Sequence, residues 1–338
     1  MHDAREGHGG HKGREGHGGH KGHEEHEGKA PKDLLRTADL TAGQFTALLD
    51  LAAGFKDAPL RHEQALRGQS VVLYFAKPST RTRFSLETAV YRLGGLPITV
   101  GTSDLQLGKG EPIEDTARVT GSYASLFVIR TFSDRDVRRF AEAAPIPVVN
   151  ALTDTHHPLQ SLADMLTLRE HFGGLRGLHL AYVGDGNNNV AHSLMEAAML
   201  LGVDITLASP PSYEPRRDVV AWCRAQAEVT GARLTLTHDP REAAAGANAV
   251  YTDLWVSLGN ADHEREARHE ALAPYRVDAG LMALAAPDAI FMHCLPANRS
   301  EEVAPEVIDG PQSVVFQQAA NRLPTGQAVL YALVAKVL

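Results

Sequence analysis

The sequence contains little that is built for a membrane, an oxidising compartment or a nucleic acid. Its 338 residues include two cysteines, Cys223 and Cys294. They stand far apart and without framework spacing, which excludes a disulfide-stapled scaffold and fits reduced thiols in a cytosol. No apolar run approaches the ~20 residues of a membrane span, and the N-terminus carries no hydrophobic signal core. Positive charge is outnumbered, with 33 Lys and Arg against 41 Asp and Glu and a net charge of −8. That balance argues against a nucleic-acid or anionic-membrane partner. Any basic cluster is then a local site for a small anion. The expectation is a soluble, cytoplasmic protein.

What is present is enough apolar sequence, 43%, to bury real cores, in a chain long enough for about two domains at ~150 residues each. Residues 1–30 are a different material. Arg5–Gly13 recurs unchanged as Arg14–Gly22 and runs into a Glu/His tract. With so little to bury, the tail is expected to be disordered. Its histidines suit loose binding of nickel, zinc or copper. From Pro31 the chain alternates. Thr41-x-x-Gln44 reads as a capping box opening a helix through Lys56. Strands are expected at 71–76, 96–101, 125–130, 146–149, 178–183, 203–208, 233–237, 248–252 and 288–293. Helices are expected at 82–93, 112–123, 134–143, 158–171, 189–201, 216–229, 269–285 and 317–337. Alternation with near-continuous apolar strands implies an α/β fold with two doubly wound parallel-sheet domains, joined by bridging helices. The boundaries fall at 31–165 and 166–315, with 316–338 as a C-terminal helix crossing back.

Polar clusters gather where such sheets bind ligands, at the carboxyl ends of strands. Ser79-Thr80-Arg81-Thr82-Arg83 packs three hydroxyls and two guanidiniums between an apolar strand and a helix start. Free backbone N–H groups, the helix dipole and a planar Arg fork converge there on an anion. A polar N-cap with two solvated arginines is the alternative. Arg130 ends a strand at the same rim, and His157 and Gln160 lie one turn apart at a helix start. In the second half, Gly184-x-Gly186-x-x-Asn189 imitates a dinucleotide fingerprint. It lacks the third glycine, and Ser209 stands where an acidic ribose ligand would be expected, which leaves only a weak NADP reading. Asp253-x-x-x-Ser257-Leu258-Gly259 offers a carboxylate for an ammonium group. His293-Cys294-Leu295-Pro296 puts a thiol and an imidazole at a strand end, and Arg322 adds a guanidinium near the last helix start. The first half thus collects cations and hydroxyls for a phosphate, and the second half collects Asn, Asp and Ser for an amino acid.

In this order the motifs resemble those of the aspartate/ornithine carbamoyltransferases, and more closely the ornithine-using members. The set is Ser-Thr-Arg-Thr-Arg at 79–83, Gly-x-Gly-Glu-x-x-x-Asp-Thr-Ala-Arg at 108–118, His-Pro-x-Gln at 157–160, the Asn-rich turn at 184–189, Asp-x-x-x-Ser-x-Gly at 253–259, His-Cys-Leu-Pro at 293–296 and Asn-Arg-Leu at 321–323. The resemblance covers 31–338. It implies carbamoyl transfer from carbamoyl phosphate to L-ornithine, giving L-citrulline and phosphate in arginine metabolism, with no metal or organic cofactor. It implies carbamoyl phosphate contacts at Ser79, Thr80, Arg81, Thr82, Arg130, His157, Gln160, Leu295 and Arg322. Gln106 would reach in from a neighbouring subunit of a homotrimer, or of an assembly of trimers. Ornithine would be held by Asn189, Asp253, Ser257 and Leu258, and the reacting groups would meet Arg130, His157, Cys294 and Asp253. Leu258, Ala320 and Leu159 depart from the family's usual Met, Glu and Cys or Thr; none removes a group that the chemistry needs. A relative using aspartate, putrescine or an N-acylated ornithine remains the near alternative. A metal-binding scaffold working through its tail is the distant one.

Overall fold

The computed structural model describes residues 31–105, 110–256 and 262–338. The His-rich tail, Gln106, Ser257 and Leu258 therefore lie outside the described residues. The strands are β1 (Ser70–Phe75), β2 (Leu96–Gly101), β3 (Leu126–Arg130), β4 (Val148–Leu152), β5 (His179–Val183), β6 (Asp204–Ala208), β7 (Leu234–Thr237), β8 (Ala249–Thr252) and β9 (Ile290–His293). The helices are α1 (Ala42–Asp57), α2 (Thr80–Arg92), α3 (Ile113–Thr120), α4 (Asp134–Ala143), α5 (Pro158–Phe172), α6 (Asn189–Leu201), α7 (Arg217–Thr230), α8 (Pro240–Ala244), α9 (Asp262–Leu272), α10 (Ala279–Met282), α11 (Pro305–Ile308) and α12 (Val315–Ala335).

The strands form two sheets, in the orders β2-β1-β3-β4 and β7-β6-β5-β8-β9, and every pair of named strands is parallel. Val71, Leu73, Leu126, Val128, Leu180 and Tyr182 are buried, as both-face coverage by helices requires. In the first sheet the chain winds from β1 outward to β2, then returns to the other side of β1 for β3 and β4. In the second it winds from β5 to β6 and β7, then returns to the other side of β5 for β8 and β9. Each reversal opens a crevice at the carboxyl ends, between β1 and β3 and between β5 and β8.

Local sequence explains the connecting helices. Thr41 and Gln44 form the capping box at α1. Pro158 at the first position starts α5, and Gly173, with φ 74°, ends it in the left-handed conformation, as glycine permits. The residues of α5 from 158 to 168 are buried throughout, so this helix runs through the molecule between the two sheets. The last helix, α12, packs against α5, α1 and α2. The expected helix at 269–285 is instead three pieces. α9 ends at Leu272, a short 3-10 turn spans Ala273–Tyr275, and Asp278 caps α10 by accepting from the Leu281 N–H at 2.8 Å. Pro274 lacks the N–H that helix continuation needs, and Asp278 favours a cap over a helix interior. β4 runs to Leu152, past the expected end at residue 149.

Candidate functional site

The β1–α2 junction sorts its own side chains. Ser79 has an extended backbone (φ −159°, ψ 113°), and its hydroxyl makes no capping hydrogen bond. The polar N-cap alternative therefore fails, and the start of α2 is left uncapped by its own sequence. Ser79 and Thr80 line an open cleft of about 650 Å³ together with residues 99–104. The two arginines part company. Exposed Arg83 pairs with Glu87 one turn on, at 2.9 Å, while Arg81 turns inward and donates to the Leu295 carbonyl. Thr82 is buried and accepts from Arg322 Nη2 at 3.1 Å.

Behind that loop three guanidiniums and an imidazole converge. Arg130 is in register with Phe75 across β1 and β3, which sets it beside the end of β1. Arg322, on the second turn of α12, donates Nη1 to Gln160 Oε1 at 2.6 Å. The Nε of Arg130, the Nε of Arg322 and the Nδ1 of His157 are buried with no hydrogen-bond partner among the described residues. Burial, then its cationic neighbours Arg81 and Arg130 respectively, lower Arg130 and Arg322 to about 10. Burial, with Arg322, Arg130 and Arg81 adding to it, pushes His157 well below its ordinary value, so its imidazole is neutral at pH 7. Unpaired buried donors are costly in a finished core and call for an explanation. An anion seated among them satisfies both the donors and the charge.

The ends of β8 and β9 face this cationic hollow. Asp253 Oδ1 accepts from the Leu254 N–H at 2.8 Å and from Cys294 Sγ at 3.0 Å. Burial and the adjacent Asp253 charge push the Cys294 thiol well above its ordinary range, so it stays a protonated donor. Leu295 has φ 57°, a strained conformation for a bulky residue that costs about 1–3 kcal/mol. His293 Nδ1 holds the turn by accepting from the Leu295 N–H at 2.8 Å. Asn189 opens α6 and donates Nδ2 to the Thr153 carbonyl at 2.7 Å. Asp253, His293 and Cys294 bring donor atoms within 4.8 Å of one another. However, the imidazole and thiol are already committed to Leu295 and Asp253, which is not an open metal-ligand set.

Sequence reasoning overlooked the layer beneath. Asp164, Gln318 and Tyr251 form a buried polar knot. Asp164 is four residues beyond Gln160, on its helix face, and that spacing was the available signal. Arg268 also escaped notice. It donates to Asp185 and to the Trp255 carbonyl, tying the loop after β5 to the loop after β8.

Known proteins share both halves of this arrangement. Residues 32–170 match the model of the aspartate/ornithine carbamoyltransferase carbamoyl-P binding domain, and residues 176–333 match that of the Asp/Orn binding domain. An ornithine carbamoyltransferase of Parafrankia sp. (strain EAN1pec) is 50% identical over 302 residues, covering 88% of this chain and 95% of the relative. One of Methanothermobacter thermautotrophicus is 48% identical over 306 residues, covering 90% and 100%. The solved ornithine carbamoyltransferase of Pyrococcus furiosus superposes with a TM-score of 0.87 at 44% identity, covering 91% of this chain and 98% of that one. With both domain models matched in order along nearly the whole folded chain, the protein belongs to the aspartate/ornithine carbamoyltransferase family.

Proposed function

We propose that this protein transfers the carbamoyl group of carbamoyl phosphate to the δ-amine of L-ornithine, releasing phosphate and L-citrulline. The observation that carries the reading is the opposition across one cleft. Arg81 and the unpaired buried Nε–H groups of Arg130 and Arg322 stand on one side, and the Asp253 carboxylate stands on the other. The names of the most similar relatives, all ornithine carbamoyltransferases, support the same substrate pair.

The phosphate would lie on Ser79, Thr80, Arg81 and the start of α2. The carbamoyl oxygen would take donors from Arg130, Thr82 and His157, which meet the charge that grows on it in the tetrahedral state. Gln160 and Arg322 complete the wall. Neutral His157 can donate from one ring nitrogen without adding a fourth positive charge. The δ-amine titrates like lysine near ~10.4, so selecting its neutral form at pH 7 costs roughly 4–5 kcal/mol, and desolvation in the cleft lowers that cost. Asp253 Oδ2 makes no hydrogen bond among the described residues, which suits it to an ammonium group. Cys294, kept protonated, steers Asp253 rather than acting as a base or covalent nucleophile. Asn189, Ser257 and Leu258 would complete the amino-acid side.

Oligomerisation belongs to the same proposal. Phe84 and Tyr91 on α2 and Leu96 on edge strand β2 are exposed apolar side chains, a surface suited to a second copy. In a homotrimer, or an assembly of trimers, Gln106 of a neighbouring chain would enter the cleft beside Ser79 and Thr80. We place the activity in the arginine metabolism of the cytoplasm; no helix among the described residues is long and apolar enough to cross a membrane. Loose divalent-metal binding by the histidines of residues 1–30 is a separate property of the tail. The test is citrulline formation with ornithine, putrescine, aspartate and N-acetylornithine as competing acceptors. Ornithine should dominate; preference for any of the other three would overturn the acceptor assignment.

A further inference from the structure

The buried carboxylate of Asp164 has no part in the steps above, yet hydrogen bonds connect it to both sides of the cleft. Its Oδ1 accepts from Gln160 Nε2 at 2.8 Å and Gln318 Nε2 at 2.7 Å, and its Oδ2 accepts from the Tyr251 hydroxyl at 3.3 Å. Oδ1 serves both glutamine donors whether or not the carboxyl is ionised, because the Tyr251 hydroxyl can donate to Oδ2 or accept from it. Burial alone raises its pKa, to about 7, while the glutamine donors, Arg322 and Tyr251 oppose that rise.

The two glutamines are oriented by chemistry. Arg322 Nη1 can only donate, so Gln160 must turn Oε1 toward it, at 2.6 Å, and Nε2 toward Asp164. The His293 N–H can only donate, so Gln318 must turn Oε1 toward it, at 2.9 Å, and Nε2 toward Asp164. One branch therefore ends on Arg322, which also holds Thr82. The other ends on the backbone immediately before Cys294. Tyr251, two residues before Asp253, closes the knot by accepting from Gln318 Nε2 at 3.1 Å.

Resting on the proposed carbamoyl transfer, we propose that Asp164 is a positioning residue that holds the anion side and the amine side in register through two oppositely directed glutamine amides. It touches neither substrate. Both glutamine N–H groups meet on Asp164 Oδ1, so an apolar side chain at position 164 removes the one acceptor they share, whereas an amide that places its oxygen there keeps both bonds and can donate its NH2 to the Tyr251 hydroxyl. Without that acceptor the glutamine amides are no longer oriented, and a flip sets N–H against N–H at Arg322 or at His293.

The test uses the full chain and two readouts: steady-state citrulline formation, and the Kd of inorganic phosphate with no chemistry involved. In D164L we expect at least tenfold weaker phosphate binding, at least tenfold higher KM for ornithine, and lower kcat. D164N, which can keep an acceptor oxygen between the two glutamines, is the conservative variant, and its constants should lie within threefold of the original ones. A purely structural role would lower the active fraction of D164L and leave phosphate Kd and both KM values unchanged, and that result overturns the proposal. So does D164L with unaltered kinetics, or D164N as impaired as D164L.

Gln318→Met keeps the test open should D164L fail to fold. It cuts the amine-side branch alone, raising ornithine KM fivefold or more with phosphate Kd held within twofold; equal effects on both sides, or none, would overturn the proposal. If the unmodified protein forms no citrulline yet binds phosphate, the carbamoyl-transfer reading fails. The Asp164 network is then still judged by phosphate binding in D164L and in the conservative variant D164N.

Discussion

The two faces of the cleft are made by the same construction and left in opposite states. Each lies at a topological switch point of a parallel sheet, where the chain reverses its winding and two strand ends open a crevice. On the first face, burial and then crowding by neighbouring guanidiniums lower the proton affinity of Arg130 and Arg322, whose Nε–H groups go unpaired among the described residues. On the second, hydrogen bonds join Cys294 to Asp253 and the Leu295 N–H to His293 Nδ1, and the buried His293 Nε2, 3.3 Å from Glu302, is left without one among the described residues. The first face is a mould that is unfinished until an anion brings the missing charge. The second is tied together by its own hydrogen bonds, with Asp253 Oδ2 unengaged among the described residues. Function that needs strong stabilisation of developing negative charge has been placed where the fold pays in like-charge repulsion.

The sharpest way to break that contrast is to relieve the crowding. Arg130→Met should lower kcat by about 10²–10³-fold, roughly 2.7–4 kcal/mol, the usual loss for one preorganised donor at a growing oxyanion. Its thermal stability should hold or rise, because Arg130 is among the charges that lower Arg322. Activity within tenfold of the original, or a marked fall in melting temperature, would mean that the cationic face is structural. On the other face, Asp253→Asn should cost about 1.5–3 kcal/mol in kcat/KM for ornithine, the range for a hydrogen bond to a charged group. Binding of inorganic phosphate, measured by calorimetry, should stay as it was. Loss of phosphate binding in that variant would show that the two faces are not separable.

The sequence made the first face far more legible than the wiring between the faces. Ser79 to Arg83, Arg130 and His157 stand at strand ends and helix starts, where polar residues interrupt apolar runs and so announce themselves. The doubly wound alternation was equally plain, because fully buried strands are short unbroken apolar stretches. The piece misread as one helix, 269–285, has continuous helical composition, and Pro274 and Asp278 break it by backbone chemistry rather than by pattern. Asp164 was hidden for a different reason. A lone acid in an apolar helix has no partner visible in one dimension, since Gln318 and Tyr251 arrive from 154 and 87 residues away. Nor does composition reveal that Arg81 and Arg83, two residues apart, leave the same loop for opposite surroundings.

The smallest expected effect lies at the join between the faces. His156, two residues before α5, is buried between Asp134 of α4, at 2.9 Å, and Glu196 of α6, at 3.6 Å. Glu196 is also held by Arg36, at 2.5 Å, and by the Ala38 N–H, at 3.1 Å. Nearby His192 is lowered to about 4, by burial above all, and stays neutral. Burial acts against the charge on His156, but the hydrogen bond to Asp134 and the nearby Glu196 carboxylate outweigh it and raise its pKa above the ordinary value. A raised folded pKa gives stability that is complete below the unfolded value near ~6.5 and is lost as pH climbs through the folded one. Asp134, held low in spite of burial by its hydrogen bonds to His156 and threonines, loses its share of the same pair only as pH falls below the ordinary carboxylate range. His156→Gln should therefore be less stable by about 1 kcal/mol near pH 6, and the gap should close as pH rises; denaturant melts at pH 6 and pH 9 measure it. Turnover should rise over that interval as the δ-amine loses its proton, so the join slackens in the direction in which chemistry speeds up. A stability gap that is the same at both pH values would remove the charge on His156 from the account and leave that segment held by packing alone.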